Sequence, residues 1–401
     1  MENIHKEVRN MIKKYGESIE IKYKNNKISP EDYESILFSI AVIYKFFDER
    51  EKEVLKEIGY NLSKGIKQEI ENDSDMRISM FAGLGYSAYA INAFSRETGI
   101  LKGFSESINQ ILLENTYLKV SKVWGYDNFQ TGQYDLISGF SGVLYYLLKF
   151  ELKKEDRRKL KKIADYLIYI TSKNYETGLP RYFIKNEYLH NEIYKELYTE
   201  GSINLGLSHG IAAIALALSK FKKKGYDAEN LDKAIKSIFD IYNFLIKDII
   251  CPTQISAKSY FKKNSTDSER INSRESWCYG TASICKALSI AAQNISDMNL
   301  YDKYNSIVEK IIGLGIEYYN LDELIICHGY ASMILIISSM DMNCNKELKD
   351  LSTLILSELN SGAYERLLKN NNFLEGIPGV IMALSLIEKV DNNLLEFMMM
   401  R

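Results

Sequence analysis

A glycine-containing turn followed by a helix that is apolar on almost every side recurs six times in this 401-residue chain. No other feature limits the fold as much. The turns read Ala82-Gly83-Leu84-Gly85, Gly139-Phe140-Ser141-Gly142, Leu207-Ser208-His209-Gly210, Trp277-Cys278-Tyr279-Gly280, Ile326-Cys327-His328-Gly329 and Gly376-Ile377-Pro378-Gly379. Successive last glycines stand between 49 and 70 residues apart. Each interval therefore holds two helices of roughly 11–12 residues and their connections. The segment after a turn, such as Ile211-Ala212-Ala213-Ile214-Ala215-Leu216-Ala217-Leu218, has no polar face and reads as a buried helix. Between these segments lie amphipathic ones: Leu231, Ile235, Ile238, Tyr242 and Leu245 recur every three or four residues, with Lys233, Lys236 and Asp240 between them. Alternating buried and half-buried helices predict an inner ring wrapped by an outer ring. The expectation is an all-α protein, an α/α toroid (double-ring helical barrel), forming one domain over 1–401. An open solenoid is the alternative, but solenoid repeats are shorter and more regular.

Only four prolines interrupt the chain, so long helical stretches are permitted. Strand-like alternation is confined to 175–202, which holds Gly178-Leu179-Pro180-Arg181-Tyr182-Phe183-Ile184 and reads as a small extended insertion or hairpin. The longest apolar run, 324–340, falls just short of a membrane span and contains Cys327, His328 and Gly329, so it reads as a buried helix. A net charge of -2 offers no bulk basic surface, and nucleic acid is not an expected partner. Five cysteines, an odd number, do not suggest a disulfide framework; thiols fit a cytoplasmic protein. The charged start, Met1-Glu2-Asn3-Ile4-His5-Lys6-Glu7, lacks the apolar core of a signal peptide.

In a closed barrel the turns before the inner helices converge at one rim. Glycine there permits close backbone approach and unusual dihedral angles. Asp135, His209, Cys278, Cys327 and His328 all lie in or just before such turns. Two thiolates and an imidazole are donors that zinc prefers. Three protein donors leave a fourth position for water or substrate, as catalytic zinc sites do and closed structural sites do not. Cys251, Cys285 and Cys344 have no partner in an equivalent turn and read as small core residues. His5 and His190 read as ordinary surface or core histidines, whereas two of the four histidines sit in the repeated turn.

These residues resemble the lanthionine synthetase C-like family, the peptide cyclases of lanthipeptide biosynthesis. The resemblance spans essentially the whole chain. It rests on Asn204-Leu205-Gly206-Leu207-Ser208-His209-Gly210, Ser273-Arg274-Glu275-Ser276-Trp277-Cys278-Tyr279-Gly280 and Cys327-His328-Gly329, with Tyr134-Asp135 and Phe373-Leu374-Glu375-Gly376 in matching order. It implies an α/α toroid with one zinc ion (Zn2+) held by Cys278, Cys327 and His328, the fourth ligand being water or a substrate thiolate. It implies His209 as the acid/base histidine, Asp135 as the aspartate beside it, Arg274 near the reaction centre and Tyr279 as a further site residue. Asp135 can also be read as a helix cap, and Arg274 as an ion-pair partner of Glu275 or Glu269.

The activity implied is intramolecular Michael addition. A cysteine thiol of a dehydrated precursor peptide attacks dehydroalanine or dehydrobutyrine and closes a (methyl)lanthionine thioether ring. A separate dehydratase and a transporter are implied partners, which is compatible with a peripheral place at a membrane-bound complex. Two other readings stand beside this one: a non-catalytic zinc toroid that binds thiols or peptides, and another zinc thiol-alkylating enzyme such as a protein prenyltransferase subunit. The latter resemble an Asp-Cys-His donor set. Family members often carry a tryptophan-containing motif near the C-terminus. The tail here, Asp391-Asn392-Asn393-Leu394-Leu395-Glu396-Phe397-Met398-Met399-Met400-Arg401, lacks it, so no tail residue is assigned to the site.

Overall fold

The computed structural model describes residues 2–73, 75–126, 129–189, 191–270, 274–342, 344–389 and 393–401. Met1, His190, Ser273, Asp391 and Asn392, named above, lie outside the described residues. The chain divides into two compact units. One comprises Met1–Met76, Tyr86–Asn109 and Gly315–Arg401; the other comprises Arg77–Gly85 and Gln110–Leu314.

In the second unit the repeat predicts the helices closely. Phe140–Leu147, Ala212–Lys223 and Thr281–Asn294 follow their glycine turns. Phe140–Leu147 is buried throughout, as are Ala212–Ser219 and Thr281–Ala292. Each packs on the next and on the half-buried helix that follows it: Lys154–Thr171, Leu231–Leu245 and Met298–Leu314 respectively. The stripe read from Leu231, Ile235, Ile238, Tyr242 and Leu245 is buried in full. Phe239, on the same helix, stacks on Tyr304 of the Met298–Leu314 helix with ring centroids 6.0 Å apart.

The first unit repeats this plan with Tyr330–Ser338 and Ile377–Ser385, and adds a buried helix that the glycine pattern does not reveal. Tyr33–Ile43 is buried from Ser35 to Ile43, yet Pro30 in a short 3-10 turn leads into it, with no glycine. It packs against Ile377–Ser385 and against the half-buried Glu49–Asn72 helix. The N-terminal helix Glu2–Lys24 also covers Ile377–Ser385. The N-terminal segment thus supplies the amphipathic partner that the last buried helix lacks downstream. The tail is core: Phe397, Met398, Met399 and Met400 are buried, and Phe397 packs on Phe38, Tyr89 and Phe373.

The glycines of the repeat serve close approach, not unusual dihedrals. None of the last glycines of the six turns has a positive φ. A Cβ at Gly142 would instead overlap the Leu136 carbonyl oxygen, and one at Gly379 the Phe373 carbonyl oxygen. Gly142→Ala is expected to cost roughly 1–3 kcal/mol through this overpacking. An unchanged melting temperature would contradict the close contact.

Within 175–202, strand β1 (Ile184–Lys185) pairs antiparallel with β2 (Gly201–Asn204). A third strand, β3 (Gln254–Ser256), joins β2 on its other side. The segment between β1 and β2 is not a simple hairpin loop, because it carries a short helix, Glu192–Leu197, capped by the Asn191 side chain. β2 is buried along its length and ends at Asn204.

Candidate active site and metal centre

Main-chain hydrogen bonds link the turns that precede the buried helices. In the second unit Met80 N–H donates to the Ile137 carbonyl (2.8 Å), and Leu136 N–H donates to the Ser208 carbonyl (3.1 Å). Leu207 N–H and Ser208 N–H both donate to the Cys278 carbonyl (3.0 and 3.3 Å). Each turn fixes the next, so residues far apart in sequence share one neighbourhood. In the first unit Cys327 N–H donates to the Leu374 carbonyl (3.2 Å) in the same manner.

Asp135 has two tasks. Its Oδ1 accepts from Ser138 N–H and Gly139 N–H, both at 2.7 Å, closing the turn into Phe140–Leu147. Its Oδ2 lies 2.6 Å from His209 Nδ1. The cap reading and the orienting reading are therefore both satisfied, by different oxygens. The carboxylate is 1% exposed and the imidazole 37%, so the pair has a buried end and an open end. Burial disfavours the charged imidazole, but the Asp135 hydrogen bond and charge outweigh it and raise the His209 pKa above its ordinary 6.5. This pair stabilises the folded chain fully below the ordinary histidine pKa. That contribution is lost as pH rises through the raised value. Asp135→Asn keeps an oxygen for the two turn N–H groups but removes the charge. The His209 imidazole, followed by NMR, is expected to titrate above 6.5 in the native chain and lower in this variant. An unshifted titration would contradict the coupling.

Cys278 is 8% exposed and sits at the start of the Thr281–Asn294 helix. Ser276 Oγ lies 3.4 Å from its sulfur and can donate to a thiolate there. Tyr279 is half-buried, with its ring centroid 6.5 Å from that of His209. Burial pushes its phenol well above the ordinary range, so it stays protonated. Arg274 is half-buried just ahead of this turn. The neighbouring Glu275 carboxylate accepts from Ala282 N–H (2.9 Å), and burial pushes its pKa up to about 7. Glu269 accepts from Ser256 N–H, the Ser259 hydroxyl and Thr266 N–H.

Cys327 and His328 precede the Tyr330–Ser338 helix, and Glu323 Oε2 lies 3.5 Å from His328 Nε2. A carboxylate beside a ligating imidazole is the usual means of fixing its orientation. Among the described residues, Cys278, Cys327 and His328 form a group able to hold a metal ion, with one ligand atom from each lying within 4.8 Å of the others. Soft sulfur and imidazole nitrogen suit zinc, and the donor number matches an open site. No disulfide links Cys251, Cys278, Cys285, Cys327 or Cys344. Cys251, Cys285 and Cys344 are buried, and burial raises the thiol pKa of Cys251 and Cys285, as expected of inert core residues. Ser276, Glu323 and Asn204 are site neighbours that sequence reasoning gave no role. Serine, glutamate and asparagine are common at turns, and nothing in their spacing sets these three apart.

Buried helices paired with half-buried ones, with a cysteine–histidine group at the turns that could hold a metal ion, define a helical protein with a candidate metal centre. The chain belongs to the lanthionine synthetase C-like protein family, which it matches over residues 33–400. It is 29% identical over 329 residues to the nisin biosynthesis protein NisC of Lactococcus lactis subsp. lactis, covering 77% of this chain and 74% of that one. It superposes on the solved structure of nisin cyclase with a TM-score of 0.79 at 22% identity, covering 100% of this chain and 98% of that one. The fold is accordingly an α/α toroid.

Proposed function

We propose that this chain is a zinc-dependent lanthipeptide cyclase acting on a dehydrated precursor peptide. The observation that carries the reading is the Cys278–Cys327–His328 donor group, whose Cys278 turn is bonded to the turn bearing His209, the partner of Asp135. These three residues would hold zinc, which would supply the Lewis acidity that keeps a peptide thiol in its reactive anionic form at neutral pH.

The chain's own groups do the rest. The sulfur adds to the β-carbon of dehydroalanine or dehydrobutyrine, and the double-bond electrons move to the α-carbon and its carbonyl oxygen. The Arg274 guanidinium and the Tyr279 phenol offer positive charge and a hydrogen bond to that developing enolate. His209 presents its outer nitrogen, because Asp135 occupies Nδ1, and delivers a proton to the α-carbon. Solvent then restores the imidazole proton, and the thiol proton leaves to solvent. No net oxidation occurs, and the peptide mass is unchanged.

The Cys-Cys-His donor set does not favour a prenyltransferase-like reading, and the oriented His209 gives a purely binding toroid no use for its proton. The whole of 1–401 is read as a single catalytic domain, with 175–202 an insertion within it. A dehydratase and a transporter are proposed as further partners. Among the described residues no helix is long and apolar enough to cross a membrane. A cytoplasmic place, peripheral to a membrane-bound complex, is proposed. The test is incubation with a dehydrated precursor peptide, then thiol alkylation and mass spectrometry. Ring closure protects cysteines from alkylation at constant peptide mass; full alkylation after incubation would refute the reading.

A further inference from the structure

The geometry points to Asn204 as a positioning residue that turns the Tyr279 hydroxyl proton toward the substrate. This inference rests on the cyclase reading and extends it to a residue outside the predicted site. Asn204 is 5% exposed, at the end of β2. Its Oδ1 accepts from Gly206 N–H at 2.9 Å. A backbone N–H can only donate, so this bond settles which side of the amide is oxygen. The amide nitrogen therefore faces Tyr279, with Nδ2 3.2 Å from the phenolic oxygen. An amide NH2 can only donate as well, so the Tyr279 oxygen is the acceptor in this pair. Its own O–H is left to donate in another direction.

The ring is fixed from a second side. A Cβ on Gly206 would lie 2.5 Å from Cδ1 and 2.7 Å from Cε1 of Tyr279, so the absence of a side chain there makes the seat for the ring. The same turn holds the preceding residue, through the Leu207 and Ser208 N–H bonds to the Cys278 carbonyl. Asn204, Gly206, Leu207 and Ser208 together form a cradle for Cys278–Tyr279. Within it the phenol is half-buried and is a donor with one direction already used by Asn204. A fixed donor aimed at a developing enolate oxygen stabilises charge without reorganising during the reaction. The sheet thereby acquires a role in the site: Asn204 pairs with Gln254 of β3, so β3 braces the residue that orients the phenol.

The decisive variant is Asn204→Asp. It is nearly isosteric and still accepts from Gly206 N–H, but its second oxygen accepts the phenolic proton and turns it inward. Asn204→Asp and Tyr279→Phe are each expected to slow single-turnover ring closure roughly 10–10²-fold. KM should change little. The double variant should be no slower than Tyr279→Phe alone, because Asn204 acts through Tyr279. Zinc content and circular dichroism should match the native protein in all three. A native rate in Tyr279→Phe, or losses that multiply in the double variant, would overturn the role of Asn204 while leaving the cyclase reading intact. Absence of ring closure by the native chain would sink the cyclase reading and this role with it.

Discussion

Alanine at Cys278 or at Cys327 is expected to leave a folded protein that has lost its zinc and its ring-closing activity. The fold should survive because these residues hold their turns through the main chain. Cys278 anchors two neighbouring N–H groups with its carbonyl, and Cys327 donates its N–H to Leu374. Alanine keeps those bonds. The donor group shrinks from three to two, and a two-donor site does not hold zinc through purification. Stoichiometry measured by atomic emission should fall from about one zinc per chain to near zero. Loss of Lewis-acid activation removes several kcal/mol of transition-state stabilisation, so cyclisation should fall about 10³-fold or more. Full zinc content with both cysteines replaced would refute the assignment of the metal centre.

Alanine at His209 should have the opposite division of effects. Zinc should stay, because His209 contributes no ligand to the Cys278–Cys327–His328 group. Ring closure should slow roughly 10²–10⁴-fold, the usual contribution of a positioned general acid. Residual product should show mixed configuration at the α-carbon, since water then delivers the proton without facial preference. Asp135→Asn should act in the same direction but more mildly. It leaves the imidazole in place while lowering its pKa, so the high-pH fall in rate moves to lower pH. Normal, regiospecific cyclisation by the His209→Ala protein would refute its proton-donor role.

Much of this architecture is legible in the sequence for a physical reason. A helix without a polar face must be buried, and a glycine that admits a carbonyl oxygen is costly to replace by a larger residue. The glycine turns and the Leu231–Leu245 stripe follow directly from those two rules. Tyr33–Ile43 escapes because a proline, not a glycine, leads into it. The docking of Glu2–Lys24 on Ile377–Ser385 escapes because no local pattern encodes contacts between the two ends of a chain. β3 escapes because its three residues pair with a strand some fifty positions earlier.

The site divides along similar lines. Cysteine and histidine are rare here, so their recurrence in equivalent turns carries information. The proximity of Asp135 to His209 follows from the repeat, but the division of its two oxygens between a turn and an imidazole does not. Ser276 and Glu323 reach Cys278 and His328 from ordinary turn positions. Asn204 lies within a recognisable motif, yet only the direction of two hydrogen bonds gives it a task.

The most direct test of the central claim combines two readings of one sample: zinc per chain, and the number of alkylatable cysteines in a dehydrated precursor peptide after incubation. The account predicts about one zinc per chain and loss of alkylatable thiols at unchanged peptide mass, both abolished in the Cys278→Ala/Cys327→Ala protein. Thiols that stay fully alkylatable beside a zinc-loaded chain, or rings closed equally well by the metal-free double variant, would contradict it.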